Sequence, residues 1–414
     1  MKILVVSQYF YPENFRINDI VKGLIERGHE VGVLTSLPNV PGGEFFEGYS
    51  WFKHGEREYE GARVTRVNVI KRGNGSPFRW VINCASFAFN SLFYLPRLSK
   101  EKYDVVFVFN NSPVTKIFPA KVFSKRNHIP NVIFILDIWP DSMYLLLKQQ
   151  DEGAREGLVR RIIRAVSKGL YKSGDTLLIS SHGFEEKLRS MGLKNKIEYF
   201  PNYAEPLDES NDKTITRKSL GIKKEDTVIG FAGNVGVAQG LEKLVEAAKK
   251  RKTKDGIKYL IVGDGSELPA LRQAVDAAKL CDCFVFTGWV DSAVVPSYLS
   301  LCDTVLVPLK EGGVLNLTVP AKLQTYMYAA KPVIAFLNGA GADVVRAAKC
   351  GITAKAEDAG ALAKAIDEIS KKSADELRDM GENGKKYCEE HFNREKVLDD
   401  LVVYLEKAIA NYKR

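Results

Sequence analysis

Residues 228–240 read VIGFAGNVGVAQG: an apolar run, then a glycine-rich loop at the start of a helical segment. Residues 259–266, YLIVGDGS, repeat this arrangement, and the helix-compatible residues ELPALRQA follow directly. Short apolar runs that end in glycine before a helical segment are typical of buried parallel strands that each lead into a helix. The two stretches therefore predict two strand–loop–helix units in the second half of the chain.

The same alternation of strand and helix extends over both halves of the chain. Predicted strands cover residues 2–7, 31–35, 63–70, 105–109, 132–136, 176–179, 228–232, 259–262, 283–287, 304–307 and 332–336. Near-continuous apolar strands separated by helices indicate parallel sheets that are covered on both faces. The predicted fold class is therefore α/β, with two Rossmann-like, doubly wound domains.

Length and one polar segment predict where the chain divides. A chain of 414 residues is too long for one ordinary hydrophobic core. Residues 201–225 contain prolines and a polar run that suit an interdomain linker. We expect one domain at residues 1–203, a second at 204–392, and a helix at 393–414 that packs back towards the first domain.

Charge is distributed unevenly between the two halves. Residues 1–200 contain 29 Lys and Arg against 20 Asp and Glu, whereas residues 201–414 contain 31 of each kind. The whole net charge of +9 thus comes from the first half, which suggests an anionic partner such as a membrane surface or a nucleic acid. Nucleic acid is not expected, because no finger motif or aromatic-basic module accompanies the charge.

The cysteines and the apolar segments bear on compartment and topology. The six cysteines are scattered and the five histidines lie apart from them, so we expect neither disulfides nor a metal site. Cys281 and Cys283 form a close pair that leads into an apolar strand, where we expect a buried strand edge. The apolar stretch 78–98 contains several polar residues and predicts a helix on the sheet rather than a membrane span. Without a signal peptide before residues 2–7, a reducing cytoplasm is the expected compartment.

Two loops at predicted strand ends are candidates for ligand binding. In open parallel sheets, ligands bind beyond the carboxyl ends of the strands, and free amides at a helix start favour an anion such as a diphosphate. Residues 233–236 and 263–265 have this position. Neither loop is a dinucleotide-binding fingerprint or a Walker loop, which disfavours dehydrogenases and ATPases.

Longer motifs extend these loops over both halves of the chain. In the second half they are FAGN at 231–234, QGL at 239–241, IVGDG at 261–265, FTG at 286–288, Asp303 with Pro308, PAK at 320–322 with Tyr326, and AKPVI at 330–334. This half resembles the family 4 glycosyltransferases of the GT-B fold over nearly its whole length. The first half carries QYFYPE at 8–13, GHEV at 28–31 and DIWPDS at 137–142. It is similar to that family's bacterial O-antigen and capsule branch, the N-acetylfucosaminyltransferase-like group.

The resemblance implies a reaction and its partners. A sugar, expected to be an N-acetylated amino or deoxyamino sugar, would pass from a UDP-linked donor with retention at the anomeric carbon. Neither a metal nor another cofactor is implied. The acceptor would be a polyprenyl-diphosphate-linked saccharide at the inner membrane face, bound by the first domain, in bacterial surface polysaccharide synthesis. The second domain would bind the donor through Gly233, Asn234, Gln239, Gly263, Asp264, Gly265, Lys322 and Thr325.

This chain departs from the family pattern at several positions. Many members have Arg and Lys in the first loop of the second domain, where this chain has Asn234 and Gln239. The family's Glu-x7-Glu pair is not intact, because Thr325 matches its second Glu. Glu311 corresponds to the first Glu only with an insertion.

We therefore expect other residues to supply charge and to act in catalysis. Lys322, at a predicted helix start, and Arg16, near the first loop of the chain, are expected to neutralise the diphosphate. The expected catalytic residues are Asp137, Lys322 and Glu311. Asp137 follows an apolar strand, and it either orients a hydroxyl group at the cleft or caps the helix after Pro140.

Glu13 and Trp139 are further candidates for the acceptor side, together with Arg16. Glu13 and Arg16 lie after the first strand, where each either contacts a ligand or is an ordinary surface charge. Trp139 either stacks on a sugar or belongs to the core.

A basic segment supports association with a membrane. Residues 155–172 read REGLVRRIIRAVSKGLYK, with Arg164, Lys168 and Lys172 in a row at helical spacing. The segment is either a solvated basic helix or a helix on a membrane surface. The lipid acceptor and the charge asymmetry favour the second interpretation. We expect a cytoplasmic protein, peripherally associated with the inner face of the cell membrane.

Two other functions remain open. The GT-B fold also occurs in UDP-N-acetylglucosamine 2-epimerases, which act on a UDP-sugar without an acceptor. The chain could also be a catalytically inactive nucleotide-sugar-binding protein, since the Glu pair is incomplete.

Overall fold

A computed structural model describes residues 1–73, 76–146, 157–204, 212–251 and 256–412. The chain divides into two compact units: unit 1 comprises residues 1–200 and 395–414, and unit 2 comprises residues 201–394. Part of the predicted linker, residues 205–211, lies outside the described residues, as do residues 155 and 156 of the basic segment.

Unit 1 is built on an eight-stranded sheet. Its strands are β1 Lys2–Val6, β2 Glu30–Ser36, β3 Glu58–Tyr59, β4 Ala62–Val67, β5 Val105–Asn110, β6 Asn131–Ile135, β7 Thr176–Ile179 and β8 Lys196–Tyr199. The order across the sheet is β3-β4-β2-β1-β5-β6-β7-β8. The pairing of β3 with β4 is antiparallel, and the other pairings of this sheet are parallel. The strand order reverses between β1 and β5, because the chain passes from β1 to β2 on one side and returns to β5 on the other.

Helices connect and cover these strands. They are α1 Ile17–Glu26, α2 Pro77–Asn90, α3 Leu95–Leu98, α4 Ile117–Asn127, α5 Asp141–Leu146, α6 Leu158–Tyr171 and α7 Gly183–Ser190. Crossovers between parallel strands are right-handed, so the direction of chain travel decides the face on which a helix lies. The chain moves in one direction across α1 and in the opposite direction across α2, α4 and α6, which therefore share a face of the sheet.

Unit 2 is built on a six-stranded parallel sheet. Its strands are β9 Thr227–Ala232, β10 Ile257–Val262, β11 Phe284–Gly288, β12 Thr304–Pro308, β13 Val333–Phe336 and β14 Gly351–Ala354, in the order β11-β10-β9-β12-β13-β14. Its helices are α8 Glu242–Lys250, α9 Leu268–Ala277, α10 Val295–Ser300, α11 Gly313–Asn316, α12 Ala321–Tyr328, α13 Ala340–Ala348, α14 Ala359–Ile369 and α15 Ala374–His391.

The β9 sequence shows why both faces of the unit 2 sheet are covered. Ile229 and Phe231 pack in one hydrophobic cluster, whereas Val228 and Ala232 pack in another. Successive side chains of a strand point to opposite faces, so a continuous apolar run supplies two cores at once.

The last helix, α16 Arg394–Tyr412, belongs almost entirely to unit 1. It buries one apolar stripe that includes Leu398, Leu401 and Leu405. Arg27, at the end of α1, ties the helix down: its Nε donates to Asp399 Oδ1 at 2.7 Å and its Nη2 to Glu395 Oε2 at 2.8 Å.

The α/β fold with two doubly wound sheets is confirmed. The stretch 78–98 forms α2, a short 3-10 turn and α3, and no helix among the described residues is long and apolar enough to cross a bilayer. The interpretation of Cys281 and Cys283 as a buried strand edge is wrong for Cys281, which is exposed in a 3-10 turn before β11.

Candidate active site

The carboxyl edge of the unit 2 sheet contains the point where the strand order reverses. From β9 the chain moves through β10 to β11 on one side, whereas β12 lies on the other side of β9. Ligands bind at such a reversal in open α/β sheets. The loops after β9, β10 and β12, together with α12, carry all of the predicted donor-binding residues and define the candidate donor site.

Close backbone contacts explain the glycines of these loops. Gly233 N donates to Val262 O at 2.9 Å, and Gly263 N donates to Gly288 O at 3.0 Å. Gly263 has a φ of +127°, and a Cβ built on it would lie 2.2 Å from Gly233 O. A Cβ on Gly265 would meet the β9 loop at 2.3 Å. Side chains would therefore force the loops apart, so glycine is required here by packing as well as by backbone conformation.

Lys322 is the second residue of α12, and its Nζ faces the β9 loop. A Cβ built on Gly233 would lie 3.1 Å from this nitrogen, and the ring centroid of Phe231 lies 3.9 Å from it. One turn later, Tyr326 fixes α12 against the end of β9. Its hydroxyl accepts from Ala232 N at 2.7 Å and donates to Ala232 O at 3.0 Å. Tyr326 thus positions Lys322 at the glycine loop.

The Lys322 ammonium is shielded from solvent and has no hydrogen-bond partner among the described residues. Burial lowers the pKa of Lys322 to about 7. An ammonium buried without a partner is costly, and a bound anion would remove that cost. Leu323 N, the third amide of α12, donates to Pro320 O at 2.9 Å, whereas the first two amides of an α-helix have no acceptor in the preceding turn and favour an anion nearby. The contacts of Lys322 therefore form a site that is prepared for an anion.

The other predicted donor residues in the glycine loops have different surroundings. Gln239 Oε1 accepts from Gly236 N at 3.1 Å, so this side chain closes the β9 loop. Asp264 is exposed, and its Oδ1 accepts from Gly265 N at 2.7 Å. Asn234 is exposed on the β9 loop. Gln239 and Asp264 therefore shape the loops that carry them.

The loop after β12 approaches the β9 loop from the other side. Lys310 N donates to Ala238 O at 2.8 Å, and Lys310 Nζ pairs with Glu242 Oε1 at 2.7 Å. Glu311 follows and is exposed, whereas Thr325 is half-buried on α12 and donates back to its own helix at 3.5 Å. Lys310 was not among the residues predicted from the sequence, although its place directly after an apolar strand is a signal that could have found it.

In unit 1, the loops after β5 and β6 are joined at the carboxyl edge of the sheet. Asp137 Oδ2 accepts from Ser112 N at 3.2 Å and from Ser112 Oγ at 3.0 Å. Trp139 Nε1 donates to the same Oγ at 2.8 Å, and Trp139 itself is only 6% exposed. Asp137 thus makes this contact with a neighbouring strand loop and not with the start of α5. Trp139 packs in the core of the unit.

Lys116 lies buried near the same loops and was missed by the sequence analysis. Its Nζ donates to Asn111 O at 2.6 Å and to Asn111 Oδ1, and it lies 5.6 Å from the ring centroid of Tyr9. Burial lowers the pKa of Lys116 to about 7, whereas the charge of Asp137 acts to raise it. No local pattern marks this lysine, because it occurs within an otherwise apolar segment.

Glu13 is buried, so the interpretation of this residue as an ordinary surface charge is wrong. It is 2% exposed, and its Oε1 accepts from Asn39 N and Val40 N, both at 2.8 Å. Its Oε2 accepts from Phe10 N at 3.3 Å. Burial raises the pKa of Glu13 to about 7, although the three amides act to lower it. Glu13 therefore anchors two loops from the interior, whereas Arg16 is half-buried just before α1.

Over the described ranges of the chain, no group of three or more His, Cys, Asp or Glu residues could hold a metal ion.

Both units match known protein families. Residues 14–203 match the family model of the glycosyl transferase 4-like domain, and residues 212–387 match that of the glycosyl transferases group 1. The putative colanic acid biosynthesis glycosyl transferase WcaI of Escherichia coli K12 is 26% identical over 334 residues, which cover 78% of this chain and 80% of that protein.

Solved structures resemble the whole chain. Sucrose-phosphate synthase from Thermosynechococcus elongatus has a TM-score of 0.74 at 17% identity over 99% of both chains. HepE of Anabaena, solved in complex with UDP, has a TM-score of 0.67 at 14% identity over 98% of this chain and 100% of that one. At these identities the likeness shows a shared fold.

Proposed function

Because this chain belongs to the family 4 glycosyltransferases of the GT-B fold, we propose that it transfers a sugar from a UDP-sugar, with retention at the anomeric carbon. The proposed acceptor is a lipid-diphosphate-linked saccharide in bacterial surface polysaccharide synthesis. The proposed sugar is an N-acetylated amino or deoxyamino sugar. The role of the relative WcaI in colanic acid biosynthesis, as its name gives it, supports the setting.

The Lys322 ammonium, which is buried and has no hydrogen-bond partner within the part of the chain that the structure describes, is the observation that carries the donor assignment. A diphosphate placed at the β9 loop would meet this ammonium and the first two amides of α12 together. The UDP bound to HepE, a protein of the same fold, supports a uridine diphosphate as the anion. Unit 2 is therefore the proposed donor unit.

The proposed chemistry needs charge stabilisation more than a protein nucleophile. When the bond from the sugar to the diphosphate breaks, negative charge grows on the leaving group. Fixed amides and a cation stabilise such charge most strongly where water is excluded. Lys322 is proposed to do this without a metal ion, and Glu311 is proposed to act beside it on the donor sugar.

Unit 1 is proposed to hold the acceptor. Asp137 follows β6 at the carboxyl edge of the sheet, and Ser112, which follows β5 at the reversal of strand order, fixes its carboxylate. A fixed carboxylate of this kind can orient the acceptor hydroxyl and receive its proton. A lipid-linked acceptor also requires access to a membrane, so the proposed location is the cytoplasmic face, with peripheral attachment. The net charge of +9 carried by residues 1–200 supports this location.

A thermal-shift screen with UDP-, GDP- and dTDP-sugars tests the donor assignment. A specific ligand stabilises the folded protein by mass action, so UDP-sugars should raise the melting temperature and the other two classes should not. A stronger shift with GDP- or dTDP-sugars would overturn the choice of uridine.

Turnover measurements separate the proposal from its alternatives. Release of UDP that requires an acceptor, with an unchanged anomeric configuration in the product by NMR, supports a retaining transfer. Epimerisation of UDP-N-acetylglucosamine without an acceptor would indicate an epimerase, and binding without turnover would indicate an inactive binding protein. Chelation with EDTA should leave the rate unchanged.

A further inference from the structure

Large apolar side chains are exposed along α2. Of the fifteen such side chains exposed among the described residues, eight lie on α2, directly after it, or on α6. On the α2 side these are Phe78, Val81, Phe89 and Phe93, of which Phe93 is 82% exposed. Exposed apolar residues grouped in this way mark an interaction surface.

The α6 helix has three distinct faces. Leu158, Ile162 and Val166 are exposed at a spacing of four residues and form an apolar stripe together with Val159. A second face, which includes Leu170, is buried against the unit. Arg161, Arg164 and Lys168 lie on the third face. A helix with packed, apolar and basic faces can hold to its domain and still present apolar side chains outward.

The two apolar stripes flank a third helix. Both α2 and α6 pack against α4, and Phe89 of α2 meets Phe118 of α4 with their ring centroids 5.8 Å apart. All three helices lie on the same face of the unit 1 sheet. We call the outward side of these three helices the α2–α4–α6 surface; α7, between β7 and β8, follows the same direction of chain travel and shares the sheet face, but it is not part of this surface.

The charge of this surface has one sign. Its three helices contain no Asp or Glu and eight basic residues: Arg79, Lys121, Lys125, Arg126, Arg160, Arg161, Arg164 and Lys168. By contrast, α1 and α7 of the same unit both carry acidic side chains. Cationic residues around apolar stripes complement an anionic lipid surface, where the apolar groups enter the headgroup boundary and the cations meet phosphates.

We propose that the α2–α4–α6 surface inserts its two apolar stripes into an anionic membrane, so that attachment is hydrophobic as well as electrostatic. In one respect this rests on the proposed function, since the lipid-linked acceptor is the reason for membrane attachment. The basic residues on α4 and α6 attract the surface to the anionic headgroups, and the exposed Phe and Leu side chains then insert into the headgroup boundary. A protein groove is a poorer fit, because the apolar side chains lie on two separate helices with α4 between them.

Sedimentation of the full chain with vesicles tests this proposal. The probes are vesicles of phosphatidylglycerol mixed with phosphatidylcholine, and vesicles of phosphatidylcholine alone. Phe93→Ser/Ile162→Ser should lower partitioning onto the mixed vesicles by roughly tenfold or more at every salt concentration. Lys125→Glu/Arg161→Glu should lower it mainly at low salt, because screening weakens surface charge.

A matched control changes two exposed apolar residues of α16 in the same unit. Val403→Ser/Tyr412→Ser should sediment like the wild type, since these side chains lie outside the surface. The shift in melting temperature caused by UDP is measured for every variant. If the wild type binds vesicles but UDP does not raise its melting temperature, the proposed function is contradicted, whereas the proposed membrane surface still stands.

Two results would overturn the proposed insertion. One is undiminished vesicle binding by Phe93→Ser/Ile162→Ser. The other is a concentration-dependent dimer of the wild type in light scattering that this variant abolishes, because the stripes would then be an interface between two copies of the chain.

Discussion

Replacing Lys322 with Met should weaken donor binding without weakening the fold. Met has a similar length, so it preserves the packing against Phe231 and Gly233 while removing the ammonium. A hydrogen bond to a charged group contributes about 1.5–3 kcal/mol, and its loss should raise the Kd for UDP roughly 10- to 150-fold. Turnover should fall by roughly ten- to a thousand-fold, because the leaving group carries more charge in the transition state.

Without ligand, the Lys322→Met variant should be at least as stable as the wild type. The Lys322 ammonium is buried without a hydrogen-bond partner among the described residues, so its removal relieves a desolvation cost. We expect the free energy of unfolding to stay the same or to rise by about 1 kcal/mol. Calorimetric titration with UDP and denaturant unfolding without ligand measure the two effects separately.

The control for this experiment is Lys364→Met, at an exposed position on α14. Lys331→Met is not a suitable control, because Lys331 Nζ donates to Cys302 O at 2.8 Å and to Ser300 O at 3.2 Å. Unchanged UDP affinity in a folded Lys322→Met protein would refute the anion site. A loss of more than about 2 kcal/mol of ligand-free stability would show that the ammonium has a structural partner.

Three further outcomes are expected. Burial lowers the pKa of Lys322 to about 7 in the free protein, whereas a bound anion restores the charged form of this side chain. UDP affinity should therefore fall as the pH rises above 7. Calorimetry between pH 7 and 9 checks this, and a flat profile contradicts it. Gly263→Ala should lower the unfolding free energy of unit 2 by about 2 kcal/mol or more, because its Cβ would lie 2.2 Å from Gly233 O; Gly313→Ala, which meets nothing within 4 Å, is the control in denaturant unfolding. Asp137→Asn should lower acceptor-dependent turnover at least tenfold, by a rough estimate, with the Kd for UDP unchanged, and a parallel loss of UDP affinity would argue against an acceptor-side role.

The sequence predicts the strands that are largely apolar, including the edge strand β11, and misses the other three edge strands, β3, β8 and β14. β9 from residue 228 and β10 from residue 259 are continuous apolar runs, because both of their faces are buried. β8, with the sequence KIEY, is an edge strand with little apolar character, and no periodicity distinguishes it from a loop.

Some features of the candidate site follow from the local sequence, whereas others depend on contacts between distant residues. The glycine loops and the position of Lys322 at a helix start follow from local patterns. By contrast, the anchoring by Glu13 depends on amides 26 and 27 residues away, and the shielding of the Lys322 ammonium depends on Phe231. Contacts of this separation leave no mark in a local sequence pattern.

The contact between Arg27 and α16 has a consequence for how the protein folds during its synthesis. Residues 1–200 leave the ribosome first, but their helical partner is synthesised only after the whole of unit 2. Until then, the surface of unit 1 that Leu398, Leu401 and Leu405 will cover stays exposed to water and accessible to chaperones. The nascent first unit is therefore incomplete during translation of the second, and a ribosome that stalls before residue 394 would leave unit 1 without this covering helix.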